Sequence, residues 1–213
     1  MVSFSVFVSV YVWLRLEDLT YVYYAGYVGM VGMMSLTNHV MAPWFEEQLG
    51  EQFVSLNNFM HLPYAFCYLL FVKCYFHVEK LEVGWHRFFT RMQWAYGVVF
   101  LWWGLDVFLN REMGSEWAIL SCNFVNLIGS LILASIATNG RRAGAKEFLY
   151  ASLPLTVCGM VLVAVFLAQT PQDGPGLLAF RTSFILHVMV FLIALSVRYR
   201  DLRAQVDGSR RPF

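Results

Sequence analysis

Charge is scarce in this chain. Asp, Glu, Lys and Arg together make up 14% of its 213 residues, while 59% are hydrophobic and 17% aromatic. The mean hydropathy is +0.56. Soluble domains carry about 25% charged residues, so this composition excludes a soluble globular domain and reads as an integral membrane protein. Cysteine is scarce as well. Cys67, Cys74, Cys122 and Cys158 all fall inside apolar segments, where a thiol behaves as a small apolar side chain, so no disulfide framework follows. The apolar N-terminus lacks a basic region and a small-residue cleavage site, so no cleavable signal peptide is expected. There is no phosphate-binding glycine loop, nucleophile elbow or CxxC pair. No cofactor and no nucleic-acid partner are expected.

What the chain has instead is length in its apolar runs. Seven are marked off, at 2 to 16, 19 to 41, 53 to 76, 88 to 109, 117 to 138, 148 to 169 and 176 to 198. About 20 apolar residues cross a bilayer as a helix. The first run is short for that, and the expectation is a helix that is longer in a complete gene product. The connecting segments are strongly asymmetric in charge. Arg15, then Lys73, Lys80, Arg87 and Arg91, then Arg141, Arg142 and Lys146, then the arginines from Arg198 onward all lie on one side. The other side holds Glu46, Glu47, Glu51, Glu112, Glu116 and Asp173, with Arg111 and Arg181 as its sole basic residues. The positive-inside rule then places the N-terminus outside and the C-terminus in the cytoplasm, and an even number of spans would break the separation. The expected fold is all-α, an integral membrane bundle of seven transmembrane helices (1–198) followed by a cytoplasmic basic stem and tail (199–213), in contact with membrane lipid.

Several details suit helices packed together. Gly26, Gly29 and Gly32 stand three apart in the second run, a spacing that lets backbones approach closely. Pro63 and Pro154 sit inside the third and sixth runs and free backbone groups there. The segment HVEKLEVGWHRFF, 77 to 89, mixes basic and aromatic residues, which predicts a short interfacial helix. Trp13, Trp44, Trp85 and Trp117 fall near run ends, as an aromatic belt requires.

Polar residues within a bilayer are costly and mark packing or recognition sites. Here they gather in the outer half: Asn57, Asn58 and His61 in the third run, Asp106 in the fourth, Asn123 and Asn126 in the fifth, and Arg181 in the seventh, with His187 of that run deeper, near the middle. Facing inward, they would line an outward-opening ligand pocket in which Asp106 pairs with Arg181; facing neighbours, they would bond helices to one another. A membrane enzyme or haem-type redox protein using His61, His187 and Asp106 is a second class of reading, and a small-solute transporter a third. The chemistry is thin for the second. The last run has no lysine for a retinal Schiff base, and the two histidines differ in depth. Ser35 and His39 have the spacing of some seven-span zinc hydrolases, but His187 alone in the last run leaves too few ligands for a catalytic zinc.

The last run continues without a break into a basic stem with Arg198, Arg200 and Arg203. Along it Leu195, Tyr199, Leu202 and Val206 recur at intervals of four, three and four, the seam of a coiled coil. A homodimer joined through this stem is the expected assembly.

Together RLEDLTYVYYAGYV (15–28), SLTNHVMAPWF (35–45), FCYLLFVKCYFHVEK (66–80), NGRRAGAKEFLYA (139–151) and ALSVRYRDLRAQ (194–205) are similar to the membrane module of bacterial seven-transmembrane receptors with diverse intracellular signalling modules. The resemblance spans about 5 to 206. It implies a non-enzymatic receptor module in the bacterial inner membrane that relays an outside stimulus to a cytoplasmic output, of diguanylate cyclase or histidine kinase type. Family members usually carry a sensory domain before the helices and an output domain after them. With neither in this sequence, the expectation is a module separated from its neighbours, a truncated frame, or a receptor working with a separate partner chain. No catalytic residue carries over.

Overall fold

The structure, a computed structural model, describes residues 2–36, 51–109, 114–140, 144–167, 188, 190–200 and 203–204. Every regular element among them is helical. In chain order these are α1 (Val2–Leu16), α2 (Leu19–Leu36), α3 (Glu51–Tyr75), a 3-10 turn (Val78–Lys80), α4 (Val83–Leu109), α5 (Ser115–Asn139), α6 (Ala145–Leu167) and α7 (190–200). The chain divides into two compact units, Met1–Asn126 and Leu127–Phe213.

In the first unit α1 and α2 form an antiparallel hairpin with only Glu17 and Asp18 between them. So short a corner needs one residue in left-handed backbone. Glu17 takes it, at φ 54, while its N–H still reaches the Trp13 carbonyl at 2.7 Å. Asp18 then starts α2 by accepting the Thr20 N–H on Oδ1 at 2.9 Å, the usual work of an acidic N-cap.

α2 packs against both α1 and α3. The glycines set the spacing. A side chain at Gly26 would meet the Cys67 sulfur of α3 at 3.3 Å, and one at Gly29 would meet Val6 of α1 at 3.8 Å, so both serve close helix contacts. Between α2 and α3 the gap is filled by rings. Tyr27 lies 6.0 Å from Tyr64 and 5.3 Å from Tyr68, and Tyr24 lies 5.3 Å from Phe71, with Tyr75 5.6 Å further along. Offset and tilted rings at these separations pack better than stacked ones.

The expected interfacial helix over 77–89 is not formed. His77 leaves α3 in left-handed backbone (φ 48, ψ 53), the 3-10 turn follows, and α4 begins at Val83 and runs through to Leu109. The reason is burial. Val78 and Phe89 are fully buried, so the apolar residues of this stretch anchor the turn and the first part of α4 inside the unit. α4 buries Phe89, Met92, Tyr96, Val99 and Asp106, one face at helical spacing.

The second unit is built on α6 and α7. Phe148 and Phe191 meet edge to face at 4.7 Å, and Ala151, Ala194 and Leu195 are buried. α6 runs through Pro154, and the Thr156 hydroxyl donates to the Ser152 carbonyl at 2.8 Å. On the stem, Leu195 is buried and Tyr199 half-buried; Arg198 is buried too, whereas Arg200 and Arg203 are exposed. Leu202 and Val206 lie outside the described residues.

Among the described residues one helix, Trp117–Asn139, is long and apolar enough to cross a membrane by length and composition. α1 has only 15 residues. α2 carries the tyrosines and glycines, and α3 the tyrosines, that make the contacts above, and these residues lower hydropathy while suiting helix packing.

Candidate functional site

The polar residues of the first unit fall into three places. The central one joins three helices. Tyr96 of α4 donates its hydroxyl proton to Asn123 Oδ1 on α5 at 3.0 Å. The same hydroxyl oxygen accepts from Asn126 Nδ2 at 3.3 Å. Asn126 Nδ2 also donates to the Ala65 carbonyl of α3 at 3.4 Å. Tyr96 and Asn126 are buried, and Asn123 is half-buried. Asn123 and Asn126 stand three apart, which puts both on the α5 face that meets α4. A tyrosine hydroxyl can donate once and accept twice, so it links the two amides. The result is a hydrogen-bonded clamp across α3, α4 and α5.

Asp106 stands apart from it. Ten residues separate it from Tyr96 on α4, about 15 Å along the axis. Asp106 is 9% exposed, and its Oδ2 accepts the Ser115 N–H at 3.2 Å across the turn through Gly114 (φ 78). The carboxylate thus caps the start of α5, where the helix dipole favours negative charge. Oδ1 is buried, with no hydrogen-bond partner among the described residues. Arg181, the expected pairing residue, lies outside the described residues, as does His187.

His61 is the third. It heads the aromatic column, edge-on to Tyr64 at 5.8 Å. Asn57 and Asn58 belong to the first turns of α3, and their side chains lie outside the described residues. Of the expected pocket, then, Asn123 and Asn126 are brought together, Asp106 lies about 15 Å further along α4 than Tyr96, His61 stands against Tyr64, and the side chains of the remaining four lie outside the described residues. Sequence reading missed Tyr96 and the Ala65 carbonyl. Tyr96 could have been found from the need of a hydroxyl in the middle of an apolar run for a partner. Among the described residues no group of three or more His, Cys, Asp and Glu side chains is placed to hold a metal ion.

Long apolar helices joined by tight corners, aromatic and glycine contacts between them, and buried amides bonding one helix to the next define a helical membrane module. More particularly, the chain belongs to the family described as 7TM diverse intracellular signalling, which matches residues 1–198. It is a membrane receptor module of the seven-transmembrane signalling type. No curated protein and no solved structure matches the chain.

Proposed function

We propose that this chain relays an extracytoplasmic stimulus across the bacterial inner membrane. In this reading it spans the membrane seven times with its N-terminus outside, and it works as a homodimer. The last span passes a change in helix packing to the stem, and from there to a cytoplasmic output domain or a separate partner chain. The family match over residues 1–198 is the observation that carries the reading. The charge asymmetry of the connecting segments supports the orientation. The clamp of Tyr96, Asn123 and Asn126 supplies a physical element able to hold one packing of α3, α4 and α5.

A stimulus shifts such a module only by binding its two packings unequally. The candidate contacts are the outer-half polar residues Asn57, Asn58, His61, Asp106, Asn123, Asn126, Arg181 and His187. The chain's part is binding and transmission, with any catalysis carried by the output partner.

The test is a topology map with reporters active on one side of the membrane, fused after Gln52, Met113, Ala143, Gly174 and Val206. Ala143 and Val206 are expected to report cytoplasm, and the other three outside. A Val206 fusion reporting outside would sink the seven-span relay. Cysteines placed at Leu202 and Val206 are expected to crosslink between stems in membranes, and no crosslink at either position would remove the dimer.

A further inference from the structure

We propose that the exposed face of α4 holds an anionic phospholipid headgroup between Arg87 and Arg91. The inference rests on reading the chain as a membrane module and adds a lipid site to it. The face that α4 turns away from its neighbours changes character along its length. It begins with Arg87 and Arg91, passes through Trp94, which is 75% exposed, and continues with Val98, Leu101 and Phe108, the last 85% exposed. Spacings of four, three, four, three and seven keep all six on one side of the helix, opposite the buried residues Phe89, Met92, Tyr96 and Val99. Charge giving way to tryptophan and then to apolar side chains is the order met on passing from headgroups to acyl chains. Trp94 therefore marks the boundary, and the two arginines lie at headgroup depth.

The arginines are placed for one anion. Residues four apart on a helix have Cβ atoms about 5–6 Å apart, so two guanidinium forks rise from adjacent turns toward a single phosphate. Guanidinium bonds phosphate in bidentate fashion. Among the described residues neither arginine forms a hydrogen bond or ion pair, whereas Lys73 of α3 is matched to Glu79 at 3.6 Å. Two like charges one turn apart repel each other, and a bound anion removes that cost. A phospholipid satisfies both parts of the surface, its phosphate meeting the arginines and its acyl chains covering Val98 and Leu101, which lie within the roughly 15 Å hydrocarbon depth of one leaflet. A free phosphate would satisfy the first part alone.

The experiment measures phospholipid retained by the purified full chain after equilibration with mixed micelles of phosphatidylglycerol and phosphatidylcholine, read by mass spectrometry. An interfacial basic residue contributes enough to anionic-lipid binding to change it about 5-fold. The retained ratio of phosphatidylglycerol to phosphatidylcholine is expected to fall about 25-fold in Arg87→Gln/Arg91→Gln. It is expected to fall less in Arg87→Lys/Arg91→Lys, which keeps the charge and loses the forks. Lys146→Gln/Arg200→Gln removes equal charge from two other exposed positions and is expected to leave the ratio unchanged. An equal fall in that control, no fall in the arginine pair, or displacement of bound phosphatidylglycerol by inorganic phosphate at equal concentration would overturn the proposal. The topology map is independent of all three results, so a failure of the lipid site and a failure of the relay are separately visible.

Discussion

Removing the Tyr96 hydroxyl tests whether the clamp across α3, α4 and α5 holds the helices together as a unit. Tyr96→Phe deletes one donor and one acceptor and leaves the ring in place, so packing changes little. The lost bonds are unequal. The one to Asn123 is 3.0 Å long and well formed, while those made by Asn126, at 3.3 and 3.4 Å, are near the limit for N–H···O bonds. Side-chain hydrogen bonds between membrane helices average about 0.6 kcal/mol and reach about 1.7. Tyr96→Phe is therefore expected to destabilise the protein by about 1–2 kcal/mol. Asn126→Leu, close in volume, is expected to cost about 1 kcal/mol by the same measure. Because both changes break the Tyr96–Asn126 bond, the double variant should cost less than their sum, with a coupling of about 0.5–1 kcal/mol. The assay is reversible unfolding of the four proteins in mixed micelles, followed by circular dichroism. Additivity to within about 0.3 kcal/mol would refute the clamp and leave Asn126 as a bystander.

Two further outcomes follow from the helix contacts and corners, read in the same assay. Gly26→Ala is expected to cost about 1 kcal/mol, because the new methyl group meets the Cys67 sulfur at 3.3 Å, and Cys67→Ala should recover most of it; a loss that persists in the double variant would mean that Cys67 is not the neighbour that matters. Glu17→Gly is expected to stabilise by about 1 kcal/mol, since glycine adopts the left-handed backbone of this corner (φ 54) without the cost of a Cβ; a destabilised variant would show that Glu17 contributes by its side chain instead.

The helices were legible because their signal is long. The runs at 53 to 76 and 117 to 138 correspond to Glu51–Tyr75 and Ser115–Asn139 within two residues at each end. Hydropathy does not record where a helix stops relative to the membrane surface, and there the reading failed. Lys80 and Arg87, mixed with Trp85, Phe88 and Phe89, made 77 to 89 look like a short separate helix, whereas α4 begins at Val83 and runs on to Leu109. The glycine stripe announced close packing but not with which neighbour. Gly26 turned out to serve α3 and Gly29 to serve α1, a matter of rotation about the α2 axis that no spacing rule supplies.

The site was legible only in part, for a related reason. Asn123 and Asn126 declare themselves as amides in an apolar run, and their spacing puts them on one face. Their partners do not. Tyr96 is one of eleven tyrosines, and the Ala65 carbonyl is a backbone group that every residue possesses. Asp106 illustrates the opposite case. Its type suggested an ion pair with Arg181, which lies outside the described residues; the group it meets among them is the backbone N–H of Ser115, anonymous in the sequence.

The dependence of the clamp on that Ala65 carbonyl has a consequence for direction. A carbonyl only accepts, so Asn126 must turn its nitrogen toward α3, and the Tyr96 hydroxyl then passes its proton on toward Asn123. The sense of all three bonds is dictated by an atom that no side-chain replacement at position 65 removes. What disturbs it is displacement: a slide of α3 by one residue moves the carbonyl about 1.5 Å, past the reach of an already long bond. The clamp therefore behaves as a gauge of the axial position of α3, indifferent to the identity of residue 65 and sensitive to where the helix stands.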